Sequence, residues 1–279
     1  ICLIHLAIFW LLIEGAARLI CRISRRGWGK IARTAAGCAA IVFTAVYLAA
    51  GWVQAYHIWE TDYAFATQKQ VGTLRIVQIS DSHVGTTFDG AGFAEAIEPI
   101  NALEPDVVVV TGDFVDDDTT KENMLRSCEA LGALRTKYGV YFVFGNHDKG
   151  YYAASHRGYT GDDLVAELEK NGVTVLQDES VLIDGRFYLI GRQDRSEENE
   201  RGNGRASMAE LTAGLDADKY MVVLDHQPCD YTAQAESGVD LVLSGHTHGG
   251  QLIPLDLLNP LMSEHDRVSG PEARGSTNC

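Results

Sequence analysis

Five short apolar runs, each ending at polar residues, recur through the second part of the chain. The runs are rich in β-branched and aromatic residues and alternate with stretches of helical pattern, as is typical of buried strands in α/β folds. They cover residues 76–79, 107–110, 140–144, 221–224 and 241–243. We therefore predict an α/β domain in which these five runs are strands of one sheet.

Helices and a hairpin are predicted between and beside these strands. The spacing of apolar residues indicates helices at residues 93–103, 119–138 and 160–172. Thr160 and Asp163 match a capping box at the start of the third helix, and Gly172 is suited to its end. Two further β-rich runs, joined by a turn around residues 184–185, predict a hairpin. The final residues, 252–279, show no clear strand pattern.

Two long apolar spans precede this domain. Residues 1–21 and 35–55 are each long enough to cross a bilayer as a helix, and neither shows the amphipathic stripe of a helix packed on a soluble core. We predict a membrane anchor of residues 1–56 with two transmembrane helices, a linker of residues 57–72 and a soluble domain of residues 73–279. Two buried core helices are the alternative, and a signal-peptide core is a further one for the first span, although it lacks a basic start. Because the chain does not begin with Met, we expect part of the protein, with room for further spans, to lie upstream.

The distribution of charge predicts the orientation of these spans. The connector between them carries only basic charges, at Arg22, Arg25, Arg26, Lys30 and Arg33. No Lys or Arg follows the second span before Lys69. The positive-inside rule therefore predicts a multi-pass protein of the cell membrane with a cytoplasmic connector and an extracytoplasmic domain. Glu14 within the first span is costly in hydrocarbon, so we expect it at an interface or facing a polar partner.

Composition excludes one class of partner. Residues 1–56 hold six basic residues and one acidic residue, so the rest of the chain carries a net charge of −20 within the total of −15. A domain this acidic lacks the basic surface that nucleic-acid binding requires, and we expect no nucleic-acid partner. The spacing of the cysteines indicates neither a zinc knuckle nor a disulfide framework.

Polar residues at the ends of the five runs have the chemistry of metal ligands. Ligands of open α/β sheets bind beyond the carboxyl ends of the strands, so these side chains can meet in one small volume. Imidazole and carboxylate groups without thiolates suit Mn, Fe, Zn or Co better than Ca or Mg. The candidates are Asp81, His83, Asp113, Asn146, His147, His226, His246 and His248. Each piece alone would be an ordinary strand end or turn, but five in this order indicate a site for two metal ions.

Local spacing supports this site. Asp81 and His83 lie two residues apart, so an extended strand end points both side chains to one face, and the histidines at 246 and 248 repeat the spacing. Glycines immediately precede candidate ligands at positions 112, 145 and 245. We expect these glycines to adopt backbone angles that other residues avoid.

Five motifs therefore stand in a fixed order along the domain. They are Asp81-x-His83, Gly112-Asp113, Gly145-Asn146-His147-Asp148, His226 and Gly245-His246-x-His248. This set, over residues 73–255, resembles the calcineurin-like metallophosphoesterase superfamily, which implies an α/β/β/α sandwich of two sheets flanked by helices. The sequences of residues 78–83 and 245–251 are similar to those of the bacterial membrane-anchored YkuE-like and YaeI-like branch. Some members of that branch resemble UDP-2,3-diacylglucosamine hydrolases. Chains of this family continue through further strands after the last motif, so we expect a C-terminally shortened domain here.

The resemblance also implies a ligand set and a role for each residue. The first metal would be held by Asp81, His83, Asp113 and His248. The second would be held by Asp113, Asn146, His226 and His246. A hydroxide bridging the two divalent ions beside Asp113 would attack phosphorus while His147 assists the leaving group, a chemistry suited to two cations about 4 Å apart. We expect Asp148 either to orient His147 or to be a solvated aspartate.

The predicted function is that of a membrane-anchored, dinuclear metal-dependent phosphoester hydrolase. A short linker would hold its cleft near the bilayer, which favours a lipid-linked or envelope phosphoester as the substrate. The diacylglucosamine hydrolases act from the cytoplasmic side, which opposes the predicted orientation. The alternatives are a non-catalytic metal-binding module, a broad-specificity phosphatase or nucleotidase, and a transporter or channel subunit. Arg192 and Arg195 are expected either to contact a substrate phosphate or to form surface ion pairs.

Overall fold

The protein divides into two compact units in a computed structural model that describes residues 2–199, 202, 204–248 and 270–279. The units are Ile1–Asp62 and Tyr63–Cys279. The first includes residues 1–56, which we predict to be a membrane anchor, and the second includes residues 73–279.

The first unit is a pair of helices. Helix α1 spans Cys2–Ile23 and helix α2 spans Lys30–Tyr56, and each is long and apolar enough to cross a membrane. Glu14 finds its polar partners on its own helix, because it pairs with Arg18 at 2.6 Å and accepts a hydrogen bond from Nε1 of Trp10 at 3.1 Å. These contacts partly neutralise the one carboxylate in the first span.

Helices and strands alternate through the second unit. Its helices are α3 (Gly90–Ile97), α4 (Lys121–Gly132), α5 (Gly161–Lys170), α6 (Ser196–Asn199), α7 (Met208–Thr212) and α8 (Tyr231–Glu236), and Glu98–Leu103 is a 3₁₀ helix. Its strands are β1 (Ile76–Ile79), β2 (Val107–Thr111), β3 (Val140–Val143), β4 (Val173–Val175), β5 (Glu179–Ile183), β6 (Phe187–Gly191), β7 (Tyr220–Leu224), β8 (Leu241–Leu243), β9 (Ala273–Arg274) and β10 (Thr277–Asn278). All five predicted strands form, and so do the predicted hairpin and the capping box at Thr160.

The strands form two sheets, as the family resemblance implies, and the prediction of one sheet from the apolar runs alone is wrong. In the described residues, the first sheet has the parallel order β1-β2-β3-β4 and the second has the order β5-β6-β7-β8-β10-β9. Three of the predicted strands lie in the first sheet and two in the second. A strand that is buried on both faces has a continuous apolar sequence whichever sheet it belongs to. The apolar pattern alone therefore does not assign a strand to the first or the second sheet.

Alternating side chains of the central strands build a four-layer sandwich. In β2, Val108 and Val110 pack against α3, α4 and α5, while Val107 and Val109 face the second sheet. Strand β7 repeats this alternation, with one face toward the first sheet and the other toward α7 and α8. Burying each of these valines contributes roughly 1.5–3 kcal/mol. The order of helices, sheet, sheet and helices confirms the α/β/β/α sandwich.

Helix α4 is shorter than predicted. It ends at Gly132, and the chain then returns to the first sheet. The N–H groups of Lys137 and Tyr138 donate to the carbonyls of Pro105 and Asp106, at 3.3 and 2.7 Å. These bonds lead into β3 and replace the helical bonds that a helix reaching residue 138 would have made.

The end of the chain contributes to the second sheet, contrary to the expectation that it lacks strands. Strand β10 lies parallel to β8, with Asn278 opposite Leu241, and pairs antiparallel with β9. Each of these two strands has two residues, too few for an alternating pattern to be visible. Residues 252–269 of the predicted tail lie outside the described residues.

Part of the expected linker belongs to the second unit. Residues 63–72 fall within it, and Val71 is buried in the core between the two sheets. The ammonium group of Lys69 lies 2.7 Å from the carboxylate of Asp240, at the start of β8. The boundary between linker and domain therefore lies earlier in the chain than residue 73.

Candidate metal centre

The carboxyl ends of the two sheets meet at the predicted site. Asp81 follows β1 in the first sheet, and its carboxylate accepts a hydrogen bond at 2.8 Å from the N–H of His246, which follows β8 in the second. The imidazole of His226, after β7, reaches the carbonyl of Thr111 on β2 at 2.7 Å. The loops after strands of both sheets are thereby joined side by side.

The backbone is unusual at these strand ends. Nine described non-glycine residues have a left-handed backbone, and five of them are candidate ligands: Asp81, His83, Asp113, His246 and His248. Such angles cost on the order of 1–3 kcal/mol when the surroundings must enforce them, and they concentrate at functional sites. The stable sandwich beneath the loops supplies that enforcement.

Three glycines precede candidate ligands, and the main reason for glycine there is that neighbouring loops leave no space for a Cβ. Gly112 has a φ of +86°, as expected, but Gly145 and Gly245 do not adopt left-handed angles. A side chain at Gly145 would collide with the carboxylate of Asp113, and one at Gly245 with that of Asp81. The expectation of unusual angles is therefore wrong for two of the three, and close approach of neighbouring loops explains the absence of a Cβ.

One group of candidate ligands consists of Asp81, His83, Asp113 and His248, whose ligand atoms all lie within 4.8 Å of one another. Nε2 of His83 lies 3.3 Å from Nε2 of His248 and 3.5 Å from Oδ2 of Asp113. Nε2 of His248 lies 3.5 Å from Oδ1 of Asp81. The ring nitrogens and carboxylate oxygens thus face one another across a space that suits a cation.

A second group shares Asp113 with the first. It consists of Asp113, His226 and His246. Nε2 of His226 lies 3.2 Å from Oδ2 of Asp113 and 3.2 Å from Oδ1 of Asn146. The contact between Nδ1 of His226 and the Thr111 carbonyl fixes this ring with Nε2 toward the group. All seven predicted ligands therefore lie in the two groups or in contact with one of them.

The electrostatics of the cluster favour a positive charge between these side chains. Burial alone would lower the pKa of His226, but its hydrogen bond to Asp113 and the charges of Asp113 and Asp81 raise it to about 10. Burial would likewise raise the pKa of Asp113, but the contact with His226 lowers it to about 2. Imidazole and carboxylate donors in such a field are the ligands that Mn, Fe, Zn and Co prefer. The residues present therefore fit divalent cations.

His147 stands beside the cluster and is held by Asp116, a residue that the sequence reasoning missed. Nδ1 of His147 lies 3.2 Å from Oδ1 of Asp116, and Nδ1 of His83 lies 3.0 Å from Oδ2. The hydrogen bond to Asp116 raises the pKa of His147, and the contacts with both imidazoles hold the pKa of Asp116 below its usual range. The sequence signal that could have identified Asp116 is the presence of an acidic residue three positions after Asp113.

Asp148 has neither of its two expected roles. It is fully buried, and its carboxylate accepts hydrogen bonds from the N–H groups of Asp113, Phe114, Val115 and Gly145 at 2.7–3.0 Å. Burial and the nearby Asp113 raise the pKa of Asp148. Asp148 thus holds together the backbone of the two loops that carry Asp113 and Asn146.

Arg192 is buried in an ion-pair network. Its Nη1 lies 3.1 Å from Asp225 and 2.7 Å from Asp230, and Arg205 contacts the same oxygen of Asp225. Gln234 donates a further hydrogen bond to that oxygen at 2.8 Å. Of the two expectations for Arg192, the structure shows ion pairs, and the pair with Asp225 is buried and not on the surface.

Comparison with known proteins agrees with this geometry. The sequence profile of the calcineurin-like phosphoesterases matches residues 74–250. A transmembrane protein with metallophosphoesterase domain from Bos taurus is 33% identical over 211 residues, covering 69% of this chain and 45% of the relative. A metallophosphoesterase from Aquifex aeolicus is 30% identical over 214 residues, covering 76% of this chain and 78% of the relative.

The extent of these matches differs among the relatives. The chain spans only 45% and 44% of the lengths of the cattle and zebrafish transmembrane relatives. Among solved structures, a dimetal phosphatase from Danio rerio has a TM-score of 0.45 at 12% identity, over 63% of this chain and 82% of that chain. This structural likeness adds nothing to the assignment, which rests on the profile match and the relatives. The chain belongs to the calcineurin-like phosphoesterase family, whose members are phosphoester hydrolases.

Proposed function

We propose that this chain is a membrane-anchored phosphoester hydrolase with a dinuclear metal centre. The observation that carries the proposal is the carboxylate of Asp113, which belongs to both groups of candidate ligands. The first ion would be held by Asp81, His83, Asp113 and His248. The second would be held by Asp113, Asn146, His226 and His246. Mn, Fe, Zn and Co are the ions that this donor set favours.

Bound divalent cations would lower the pKa of a coordinated water and neutralise the oxygens of a phosphoryl group. His147 complements that chemistry as the proton donor to the leaving oxygen. Asp116 engages Nδ1 of His147, which leaves Nε2 as the nitrogen available to a substrate. The same contact favours the protonated imidazole, the form that a general acid needs.

The substrate proposal follows from the anchor. Six residues, 57–62, separate the end of helix α2 from the start of the second unit, and a tether of that length keeps a domain near the bilayer. With an anchor of residues 1–56 and a basic connector in the cytoplasm, the domain would lie on the extracytoplasmic side. A cleft there would meet lipid-linked or envelope phosphoesters at high effective concentration.

A substrate screen tests the proposal. The full chain is purified in detergent, depleted of metal, reloaded with Mn²⁺, Fe²⁺, Zn²⁺ or Co²⁺, and assayed against phosphomonoesters, phosphodiesters, nucleotides and lipid pyrophosphates. We expect metal-dependent hydrolysis, fastest with a lipid-linked substrate presented in mixed micelles. Metal binding without hydrolysis of any compound would instead indicate a non-catalytic metal-binding module. Faster turnover of free nucleotides than of lipid substrates would overturn the lipid-linked proposal alone.

A further inference from the structure

A tight turn returns the chain to the metal centre at Tyr151. The N–H of Gly150 donates to the carbonyl of His147 at 2.8 Å, and Gly150 has a φ of +75°. A side chain at position 150 would be strained at this angle, and its Cβ would lie 3.0 Å from the guanidinium carbon of Arg157. Glycine at this position thus allows the chain to reverse. The side chain of Tyr151 then contacts Asn146 and His147, at the start of the turn.

The hydroxyl of Tyr151 contacts the amide of Asn146. Nδ2 of Asn146 donates to this hydroxyl at 2.9 Å, and Oδ1 of the same amide lies 3.2 Å from Nε2 of His226. A carboxamide binds a cation through its oxygen, because its NH₂ group is a donor only. The hydrogen bond to Tyr151 therefore matches the amide orientation in which the oxygen faces the second group of candidate ligands.

The ring of Tyr151 contacts His147. The two ring centroids lie 5.3 Å apart at an interplanar angle of 80°, an edge-to-face arrangement. Together with the hydrogen bond that the Tyr151 hydroxyl accepts from Asn146, this contact makes one side chain touch both Asn146 and His147.

The backbone of Tyr151 is held in place by hydrogen bonds to Asp117. Oδ1 of this buried carboxylate accepts hydrogen bonds from the N–H groups of Tyr151 and Tyr152, at 2.8 and 3.3 Å. Asp117 immediately follows Asp116, which holds the imidazoles of His83 and His147. The position of Tyr151 is thus tied to the same loop that orients the two histidines.

We infer that Tyr151 is a positioning residue that holds the oxygen of Asn146 toward the second metal and the ring of His147 in place. The inference rests on the proposed dinuclear function. Residues that orient metal ligands typically change metal affinity by tenfold or more when they are replaced. The hydroxyl and the ring make separate contacts, so two substitutions of the same residue separate their effects.

Metal binding by the Tyr151→Phe variant tests the role of the hydroxyl. The metal-free full chain in detergent is titrated with Mn²⁺, and the unbound ion is followed by its EPR signal. We expect about tenfold weaker binding at one of two sites in Tyr151→Phe, with the other site and the melting temperature of the metal-free protein unchanged. The control is Tyr152→Phe, because Tyr152 is 71% exposed and its ring faces His156 instead.

Turnover by the Tyr151→Leu variant tests the role of the ring. At saturating Mn²⁺, we expect kcat to fall about two- to tenfold relative to Tyr151→Phe, with KM unchanged, because leucine removes the edge-to-face contact with His147. Equal kcat values in the two variants would remove the ring from the inference.

Four outcomes of the Mn²⁺ titration and the melting experiment would overturn the inference. Two sites of wild-type affinity in Tyr151→Phe would show that the hydroxyl does not position Asn146. Equal weakening of both sites, or a lower melting temperature of the metal-free variant, would indicate a structural role. A wild-type chain that binds fewer than two Mn²⁺ ions would reject the proposed function as well, which distinguishes that failure from the first.

Discussion

Nδ1 of His147 lies 3.2 Å from Oδ1 of Asp116, in a contact that links the proposed acid to the metal centre. The other oxygen of that carboxylate lies 3.0 Å from Nδ1 of His83, one of the proposed ligands. One acidic side chain therefore orients a residue for proton transfer and a residue for metal binding. Replacing it should affect both processes at once.

The first prediction concerns Asp116→Asn. The amide has one acceptor oxygen, so it can no longer accept a hydrogen bond from both imidazoles, and the charge that favours protonated His147 is lost. We expect turnover and Mn²⁺ affinity each to fall about tenfold to a hundredfold, measured by steady-state kinetics and metal titration. Asp118→Asn is the matched control, because Asp118 is exposed and pairs with the surface residue His156 at 3.1 Å. Wild-type affinity in Asp116→Asn would contradict the proposed link to His83.

The second prediction concerns His147→Ala. His147 stands in a third candidate group with His83 and Asp116, but the proposed ligand set does not include it, so the variant should retain both ions by elemental analysis. Turnover should fall about a hundredfold to ten-thousandfold for a substrate with a poor leaving group, and less for an aryl phosphodiester. His156→Ala removes an exposed histidine that also pairs with an aspartate, and it should retain wild-type turnover. Loss of metal from His147→Ala would assign this residue to the ligand set instead.

The sequence was sufficient for the five strands that lead to the site and for the polar side chains at their ends, because both follow from local patterns. The apolar run ending at Val110 predicted its strand, and the position of Asp113 after that strand made it a candidate ligand, whereas its role as a shared carboxylate came from the family resemblance. The division into two sheets depends on which runs pair, and no local pattern records that choice. Asp148 was misinterpreted for a related reason, since its partners are backbone N–H groups from two separate loops.

The third prediction concerns removal of metal. EDTA treatment of the wild-type chain should abolish hydrolysis, and Mn²⁺ should restore it. Asp113→Ala should not be restored, because Asp113 belongs to both groups of candidate ligands and its loss would weaken both sites. Elemental analysis and activity are measured together, with circular dichroism as the control for folding. An Asp113→Ala protein that keeps two tightly bound ions would contradict the bridging role.

The fourth prediction concerns the buried pair of Arg192 and Asp225. Arg192→Met removes one of the donors to a fully buried carboxylate, and breaking such a pair typically costs about 3–5 kcal/mol. We expect a loss near the lower end of this range, because Arg205 still contacts Asp225, and it should appear as a lower melting temperature. Arg126→Met is the control, because Arg126 forms an exposed pair within helix α4 that contributes about 1 kcal/mol or less. Equal melting temperatures for the two variants would show that the buried network adds no stability.

The fifth prediction concerns the side of the membrane on which the domain lies. Basic residues concentrate in the connector between the two apolar helices, and the positive-inside rule directs such a connector to the cytoplasm. Protease added to intact cells, or to spheroplasts where an outer membrane shields them, should therefore digest the domain without lysis. Replacing Arg22, Arg25, Arg26, Lys30 and Arg33 with serine should weaken this orientation and protect part of the population. Complete protection of the wild-type domain until lysis would reverse the orientation and make a cytoplasmic phosphoester the expected substrate, while leaving the metal chemistry unaffected.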